Sequence, residues 1–445
     1  MSRGLFRKTV TFVGDWGMLY LALFLMIAMR YGTEWPDGWV KHLRPFSLLF
    51  PVWILILYVN YLYETRFFRP SIDSVRTIGN AVIVAFVASL SLFYLFPPGL
   101  VHPRRNLLIF AIIAWLLLLL WRVVWYRLSR RSVGTNILFV GQGEEIKELA
   151  DYLKRNPELQ YHTKKQIPSV PGRYEELDAI IRNDDIKLVL FKPEKASGAI
   201  KNLFPIMASG VMVLDLEDFY ERTLNKVSPS MLDNVWFIRN LENVTQDIHE
   251  VSKRIIDIAV GLAGLAVLIL AVSLLAIIIR LDSPGPAIFR QARVGKNGRI
   301  FRLYKLRTMR AISKGGSAEG GSATWTGKND PRITKVGKFL RNTRMDELPQ
   351  LWNVLIGDMS IVGPRPERPE LVKKLTEKIP CYNMRHLVKP GLTGWAQINY
   401  EYGDSVKDAR IKLQYDVYYT KKRTLVLDLT ILLKTAKIIL SREGR

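Results

Sequence analysis

The chain has 445 residues, 64 Lys and Arg against 40 Asp and Glu, and 49% hydrophobic residues. That length allows about three domains at roughly 150 residues each, and the composition excludes a disordered, collagen-like or disulfide-stapled secreted chain. Cys381 is the single cysteine, and with five scattered histidines it argues against a zinc site of the usual ligand types.

A net charge of +24 points to nucleic acid, anionic lipid or a phosphorylated substrate, and the apolar segments decide among these. Between Lys8 and Arg30 the only charge is Asp15; Phe46 to Tyr63 and Thr77 to Pro103 carry none, and Asn106 to Trp121 is rich in Leu, Ile and Trp. A bilayer core takes roughly 20 apolar residues per helix, so four spans are predicted near 10–30, 46–64, 77–97 and 105–125, forming a four-helix transmembrane bundle over 1–132. Arg3, Arg7 and Lys8, then Arg66, Arg69 and Arg76, then Arg122, Arg127, Arg130 and Arg131 mark the cytosolic side, with Arg104 and Arg105 the contrary pair. Asp15 reads as a helix-end residue near the interface, and Arg122 as one that snorkels to it.

Residues 133–250 change texture. Asn136 to Gly143 reads as a buried strand entering a turn, Glu144 to Arg155 as a helix, and Ile186–Phe191 and Val211–Asp215 as further short strands. Alternating strands and helices predict a Rossmann-like parallel α/β module. Gly141 and Gly143 resemble the start of a dinucleotide-binding turn, but Ile146 stands at the third glycine position and Glu144 and Glu145 would repel a phosphate. The module is expected to hold no cofactor.

Ile258 to Ile279 is uncharged and long enough to span, yet Lys253 and Arg254 precede it and Arg280, Arg290 and Arg293 follow. Basic flanks on both sides predict a segment that returns to its own face, a re-entrant helix over 255–280. Such a bend usually involves proline, and none occurs here; Gly261 and Gly264 sit near the start, leaving Ser273 as the local candidate.

The remaining motifs are basic and punctuated by glycine. They run SPGPAIFRQARVGKNGRIFRLYKLRTM from Ser283 and DPRITKVGKFLRNTRMDELPQLWNVLIGDMSIVGPRP from Asp330, then GLTGWAQ at 391–397 and LQYDVYY at 413–419. This composition suits a polyphosphate. Asp346 and Glu347 precede an amphipathic helix carrying Leu348, Leu351, Trp352 and Leu355, with Pro349 in its first turn. By themselves they read either as a helix cap or as a paired carboxylate able to hold Mg²⁺ while one oxygen attacks phosphorus. Arg341 and Arg365 could clamp phosphate oxygens.

From Lys253 onward the chain resembles the monotopic phosphoglycosyltransferases, the bacterial sugar transferase family. The motifs occur in order: KR-x-x-D, SPGP, Lys305-Leu306-Arg307-Thr308-Met309, DELPQLxNVL, GDMSxVGPRP, GLTG and YDxYY. Leu306 stands where the family has Phe, and the usual helix-breaking Ser-Pro is missing between Leu268 and Ser273. The resemblance implies a mainly helical monotopic catalytic domain over 251–445, in an enlarged form carrying the membrane bundle and the α/β module. It implies transfer of a hexose-1-phosphate from a UDP-sugar to undecaprenyl phosphate, with Asp346 as nucleophile and Glu347 helping it hold Mg²⁺. Lys305, Arg307, Arg341 and Arg365 would bind substrate phosphates, with Asp416 a further site position. The setting would be the cytosolic face of the bacterial inner membrane, with the lipid bilayer as partner, a homodimer compatible with the enlarged form, and no nucleic acid bound. The stretch from Thr424 to Leu440 reads equally as an interfacial amphipathic helix or a core helix. Two rivals remain. A membrane-anchored sugar-nucleotide dehydratase or epimerase would need an intact glycine loop and a catalytic Tyr-x-x-x-Lys, which Tyr161 to Lys165 matches only in spacing, within a charged loop. A non-catalytic glycan-assembly scaffold would not need Asp346.

Overall fold

The computed structural model describes residues 3–60, 62–63, 72–95, 103–130, 134–169, 174–192, 203–228, 247–310, 330–400, 403 and 405–441. Arg66, Arg69 and Arg131 of the orientation argument lie outside them. By contacts the chain divides into two units, Met1–Leu216 and Glu217–Arg445.

The first unit begins with four long helices: α1 (Arg3–Tyr31), α2 (Trp35–Val59), α3 (Ile72–Leu95) and α4 (Pro103–Arg130). α1 packs on α2 and α4, and α3 packs on the same two. Leu23, Phe46, Phe50, Trp53 and Phe110 fill the space between them, while Ile83, Val87, Ile112, Leu116 and Leu120 face outward. Three stretches are long and apolar enough to cross a membrane: Lys8–Val59, which holds α1 and α2 joined by a short 3-10 turn, Ser74–Tyr94 and Asn106–Leu128. One expectation is corrected. Arg122 does not reach outward to snorkel: it and Asp15 are both buried, and Arg122 Nη2 donates to Asp15 Oδ2 at 2.8 Å. In an apolar interior each charge needs a partner more than it needs the interface.

The α/β module follows. Strands β1 (Thr135–Val140), β2 (Tyr161–Ile167), β3 (Ile186–Phe191) and β4 (Met212–Asp215) form one parallel sheet in the order β2-β1-β3-β4. The apolar run Ile137-Leu138-Phe139 is fully buried, as a central parallel strand requires. β2 is a correction, because the segment read as a charged loop is an edge strand with largely exposed side chains, and its lysines discourage further pairing. Helix α5 (Glu144–Arg155) starts beyond the glycine turn. Strand order reverses between β1 and β3, the place where such sheets bind ligands. There Glu145 is buried and paired with Lys192 at 2.5 Å, and a Cβ on Gly143 would meet that carboxylate. Helices α6 (Tyr174–Asn183), α7 (Leu203–Ala208) and α8 (Leu216–Leu224) complete this stretch.

The sequence assigns 217–250 to the α/β module, but residues 217–228 pack in the second unit. There Lys421 reaches both Glu221 carboxylate oxygens at 2.9 Å, Trp395 donates to the Asn225 carbonyl at 2.8 Å, and the Val227 amide bonds to Gln414. Helix α9 (Asp247–Asp282) carries exposed Ile269, Leu270, Leu274, Ile277 and Leu281, and its halves His249–Gly264 and Ile269–Asp282 meet at 59°. The bend follows Gly264 and does not involve Ser273, which the sequence favoured. After α9 come the hairpin β5 (Ile288–Val294) and β6 (Ile300–Leu306), then α10 (Lys335–Thr343), α11 (Gln350–Ile356), β7 (Ser360–Val362), α12 (Pro369–Lys378) and β8 (Gly391–Thr393). Helices α13 (Trp395–Asn399), α14 (Val406–Lys422) and α15 (Leu425–Ser441) close the chain. β5 and β6 are antiparallel, and β7 and β8 are parallel.

The first turns of α9 fasten this unit. Arg254 donates to the last carbonyls of α11, Val354 and Leu355, both at 2.7 Å. Lys253 bonds to Asp428 at 2.8 Å, and Asp257 accepts from Ser360 Oγ and the Ile361 amide at 3.0 Å. A Cβ on Gly261 would lie 2.6 Å from Leu355, so glycine is what lets α11 lie close against α9. α15 buries Ile431 and exposes Val426 and Leu429, one face inward and one outward.

Candidate active site

Three local features bring the chemistry-bearing residues together. First, α10 is capped by Thr334, whose hydroxyl accepts from the Gly337 amide at 2.9 Å. A Cβ on Gly337 would fall 1.9 Å from the Thr308 carbonyl, so only glycine lets α10 rest on the Lys305–Met309 segment. Second, Arg344 takes the left-handed conformation (φ 56°) and turns the chain into a 3-10 turn, Met345–Glu347. Third, Asn353 is fully buried: its amide donates to the Arg302 carbonyl at 2.8 Å and its oxygen accepts from the Tyr304 amide at 3.1 Å. That pair ties α11 to β6 and sets Lys305 opposite the Asp346–Glu347 turn.

The capping interpretation of Asp346 is corrected by this arrangement. α11 begins at Gln350 behind Pro349, and no side chain caps it. Among the described residues nothing donates a hydrogen bond to the Asp346 carboxylate. Glu347 is engaged: Arg365 donates to its Oε1 at 2.8 Å, and Lys305 lies 3.5 Å from the same atom. Burial pushes the Glu347 carboxyl upward, but Arg365 and Lys305 outweigh it and hold the group well below the usual carboxylate range. For Asp346 burial wins: its carboxyl is raised, with Lys305 pulling it down and the Glu347 charge pushing it up. Burial also lowers the Lys305 ammonium, against the support of Glu347. Arg341 acts on Asp346 through space and has no ion pair among the described residues.

Lys305, Arg341, Asp346, Glu347 and Arg365 are therefore one electrostatic cluster. Two predicted members are elsewhere. Arg307 is buried and donates to the carbonyls of Ile279, Ser283 and Pro284 and to Ser283 Oγ, closing the end of α9 and the SPGP turn. Asp416 is buried and paired with Arg385 at 2.8 Å, and burial pushes its carboxyl up to about 6 against the pull of that arginine. Neither therefore joins the Asp346 cluster as the sequence led one to expect: Arg307 is engaged by the carbonyls that follow α9, and Asp416 by Arg385. Leu306 lies in a buried cluster with Ile279, Ala287 and Leu340, so its departure from Phe is a packing change.

Among the described residues no three His, Cys, Asp or Glu side chains gather as a metal-binding group. Magnesium does not require one, because it is commonly held by one or two carboxylates together with substrate phosphates and water. Asp346, with no donor on its oxygens, beside Glu347 fits that donor set. Sequence reasoning missed Asn353, Arg254 and Arg385. Asn353 was signalled by its place in the DELPQLxNVL motif and as a polar residue inside an otherwise apolar helical stripe, but neither named its partners on β6.

A family model described as bacterial sugar transferase matches residues 248–442, and one described as a CoA-binding domain matches 60–189. A protein of Xanthomonas campestris named UDP-glucose:undecaprenyl-phosphate glucose-1-phosphate transferase is 33% identical over 335 residues, covering 69% of this chain and 67% of that one. An exopolysaccharide production protein of Rhizobium leguminosarum is 41% identical over 197 residues, covering 43% of this chain and 96% of its own. A UDP-N-acetylgalactosamine-undecaprenyl-phosphate N-acetylgalactosaminephosphotransferase of Aeromonas hydrophila is 43% identical over 197 residues, and the match spans 45% of its length. The matched region carries the Asp346 cluster and the helices that build it, and the chain belongs to the bacterial sugar transferase family.

Proposed function

We propose that the chain transfers a hexose-1-phosphate from a UDP-sugar to undecaprenyl phosphate, releasing UMP, as the first membrane step of a bacterial polysaccharide. The observation that carries this reading is the Asp346 carboxylate, undonated among the described residues and set beside Lys305, Arg341 and Arg365. The names of the relatives supply the substrate class.

In the first half-reaction an Asp346 oxygen forms a bond to the sugar-bearing phosphorus while the bond from that phosphorus to the bridging oxygen breaks, and UMP leaves with the electron pair. In the second, an oxygen of the lipid phosphate attacks the same phosphorus, and the aspartyl bond breaks to restore the carboxylate. Lys305, Arg341 and Arg365 neutralise the diphosphate, which suits a reaction whose barrier is largely electrostatic. Glu347, held ionised by Arg365 and Lys305, keeps those two cations in place beside Asp346. Asp346 and Glu347 would hold Mg²⁺, which when bound adds positive charge for the diphosphate. The four helices α1–α4 form a transmembrane bundle in this reading, and α9 is re-entrant. The basic residues flanking α9 support a setting at the cytosolic face of the inner membrane, where lipid phosphate and soluble UDP-sugar would meet.

The test is UMP release from a UDP-sugar panel including UDP-glucose and UDP-N-acetylgalactosamine, with trapping of labelled sugar phosphate on the protein. Label on wild type and none on Asp346→Asn supports the reading. Undiminished turnover by Asp346→Asn overturns the role of Asp346 and leaves another chemistry, and no UMP release by wild type on any sugar of the panel leaves the scaffold.

A further inference from the structure

Pro364 and Pro366 flank Arg365 and have no amide N–H, so this loop has few donors with which to hold itself. Its carbonyls are gripped from outside instead. The Gly391 amide donates to Pro364 O at 2.9 Å, Arg385 Nη2 to Arg365 O at 3.0 Å, Arg293 Nη1 to Pro366 O at 2.9 Å, and the Val294 amide to Glu367 O at 2.9 Å. Four consecutive carbonyls are thus fixed by four separate donors. The one on Arg365 itself comes from a side chain that is 5% exposed. Arg385 is in turn held by Tyr382 Oη at 2.5 Å and by the Asp416 carboxylate at 2.8 Å. On the other side of that backbone the Arg365 guanidinium meets Glu347.

We infer that Arg385, backed by Asp416 and helped by Arg293, is a positioning residue for UDP-sugar binding that works through Arg365 by locking the 364–367 backbone. This rests on the function proposed above. A clamp that stabilises charge is useful only when its geometry is already set before substrate arrives. Asp416 therefore contributes to the site from behind it, by orienting the residue that orients the clamp.

The experiment is a double-mutant cycle on the full-length protein in membranes, read as UMP release over a range of UDP-sugar concentrations with lipid phosphate in excess. The ammonium of Arg385→Lys cannot serve Asp416, Tyr382 and the Arg365 carbonyl together. The expected result is a KM for UDP-sugar raised about tenfold with kcat within about twofold. Added to Arg365→Ala it should worsen KM no further, whereas added to Arg341→Ala the two effects should multiply. Arg293→Gln should show the same pattern at smaller size, and it carries the test if Arg385→Lys does not fold. Effects that multiply in the Arg365 cycle, or a fall in kcat at unchanged KM, overturn the inference. Failure of the functional reading would look different: wild type would release no UMP, or Asp346→Asn would still release it.

Discussion

The start of α9 and the turn at Met345–Glu347 are both crowded with charge, and they treat it in opposite ways. Around α9, Arg254 has two carbonyls, Lys253 has Asp428, and Asp257 has a hydroxyl and an amide. Around Asp346 the cations crowd one carboxylate: Glu347 serves both Lys305 and Arg365, and Arg341 has no ion pair among the described residues. Charges satisfied inside the chain hold it together, because removing one leaves a buried partner stranded. Charges left unsatisfied are available to a ligand. The difference between a fastener and a binding group thus lies in the partners, and residue type does not reveal it.

That contrast can be broken most severely at Asp346. Asp346→Asn should lower phosphosugar trapping and UMP release by about a thousandfold or more, because the carboxylate proposed as the nucleophile is gone. A smaller loss would mean that the carboxylate is not the acceptor. Arg341→Ala should cost about a hundredfold in turnover with no change in melting temperature, since nothing in the described fold rests on its guanidinium. Arg254→Ala should do the reverse. Losing two hydrogen bonds from a charged donor to the carbonyl end of α11 should cost about 2–3 kcal/mol of stability, measured by thermal unfolding in detergent, while KM for UDP-sugar stays put. If Arg254→Ala altered KM and spared stability, the distinction between the two regions would fail. The smallest effect is in pH. In the proposed reaction Asp346 must be ionised to attack, and its carboxyl is raised by burial, so trapping should rise with pH through a midpoint above the ordinary aspartate value of about 3.9. Lys305→Met removes the cation that opposes the shift, and should move the midpoint higher still; a midpoint that moves down would contradict the arrangement.

Much of this was legible from local pattern. β3 and α5 occupy the ranges their apolar spacing indicates, Ile186–Phe191 and Glu144–Arg155, because a buried strand and a surface helix leave different periods in the chain. What escaped depends on contacts distant in sequence. Lys305 and Arg307 sit two apart in one basic motif, yet one faces Glu347 and the other the end of α9. Asp15 and Arg122 are separated by 107 positions and find each other only once α1 and α4 pack. Gly261 looked too early in its helix to matter for shape, but its importance comes from Leu355, nearly a hundred residues later. The family motifs point to Asp346 and Glu347 as site residues; they did not show that Asp416 pairs with Arg385, which in turn holds the Arg365 carbonyl.

The seam at 216/217 bears on how this enzyme can be dissected. A fragment trimmed to the family match would begin at residue 248 and discard Glu221 and Asn225, taking from Lys421 its carboxylate and from Trp395 its carbonyl. A self-sufficient fragment of the second unit should start upstream of Glu217 instead. The short stretch that leaves the α/β sheet is, in effect, the first strap of the domain that follows it, and any attempt at domain exchange between relatives should carry it along with the downstream half.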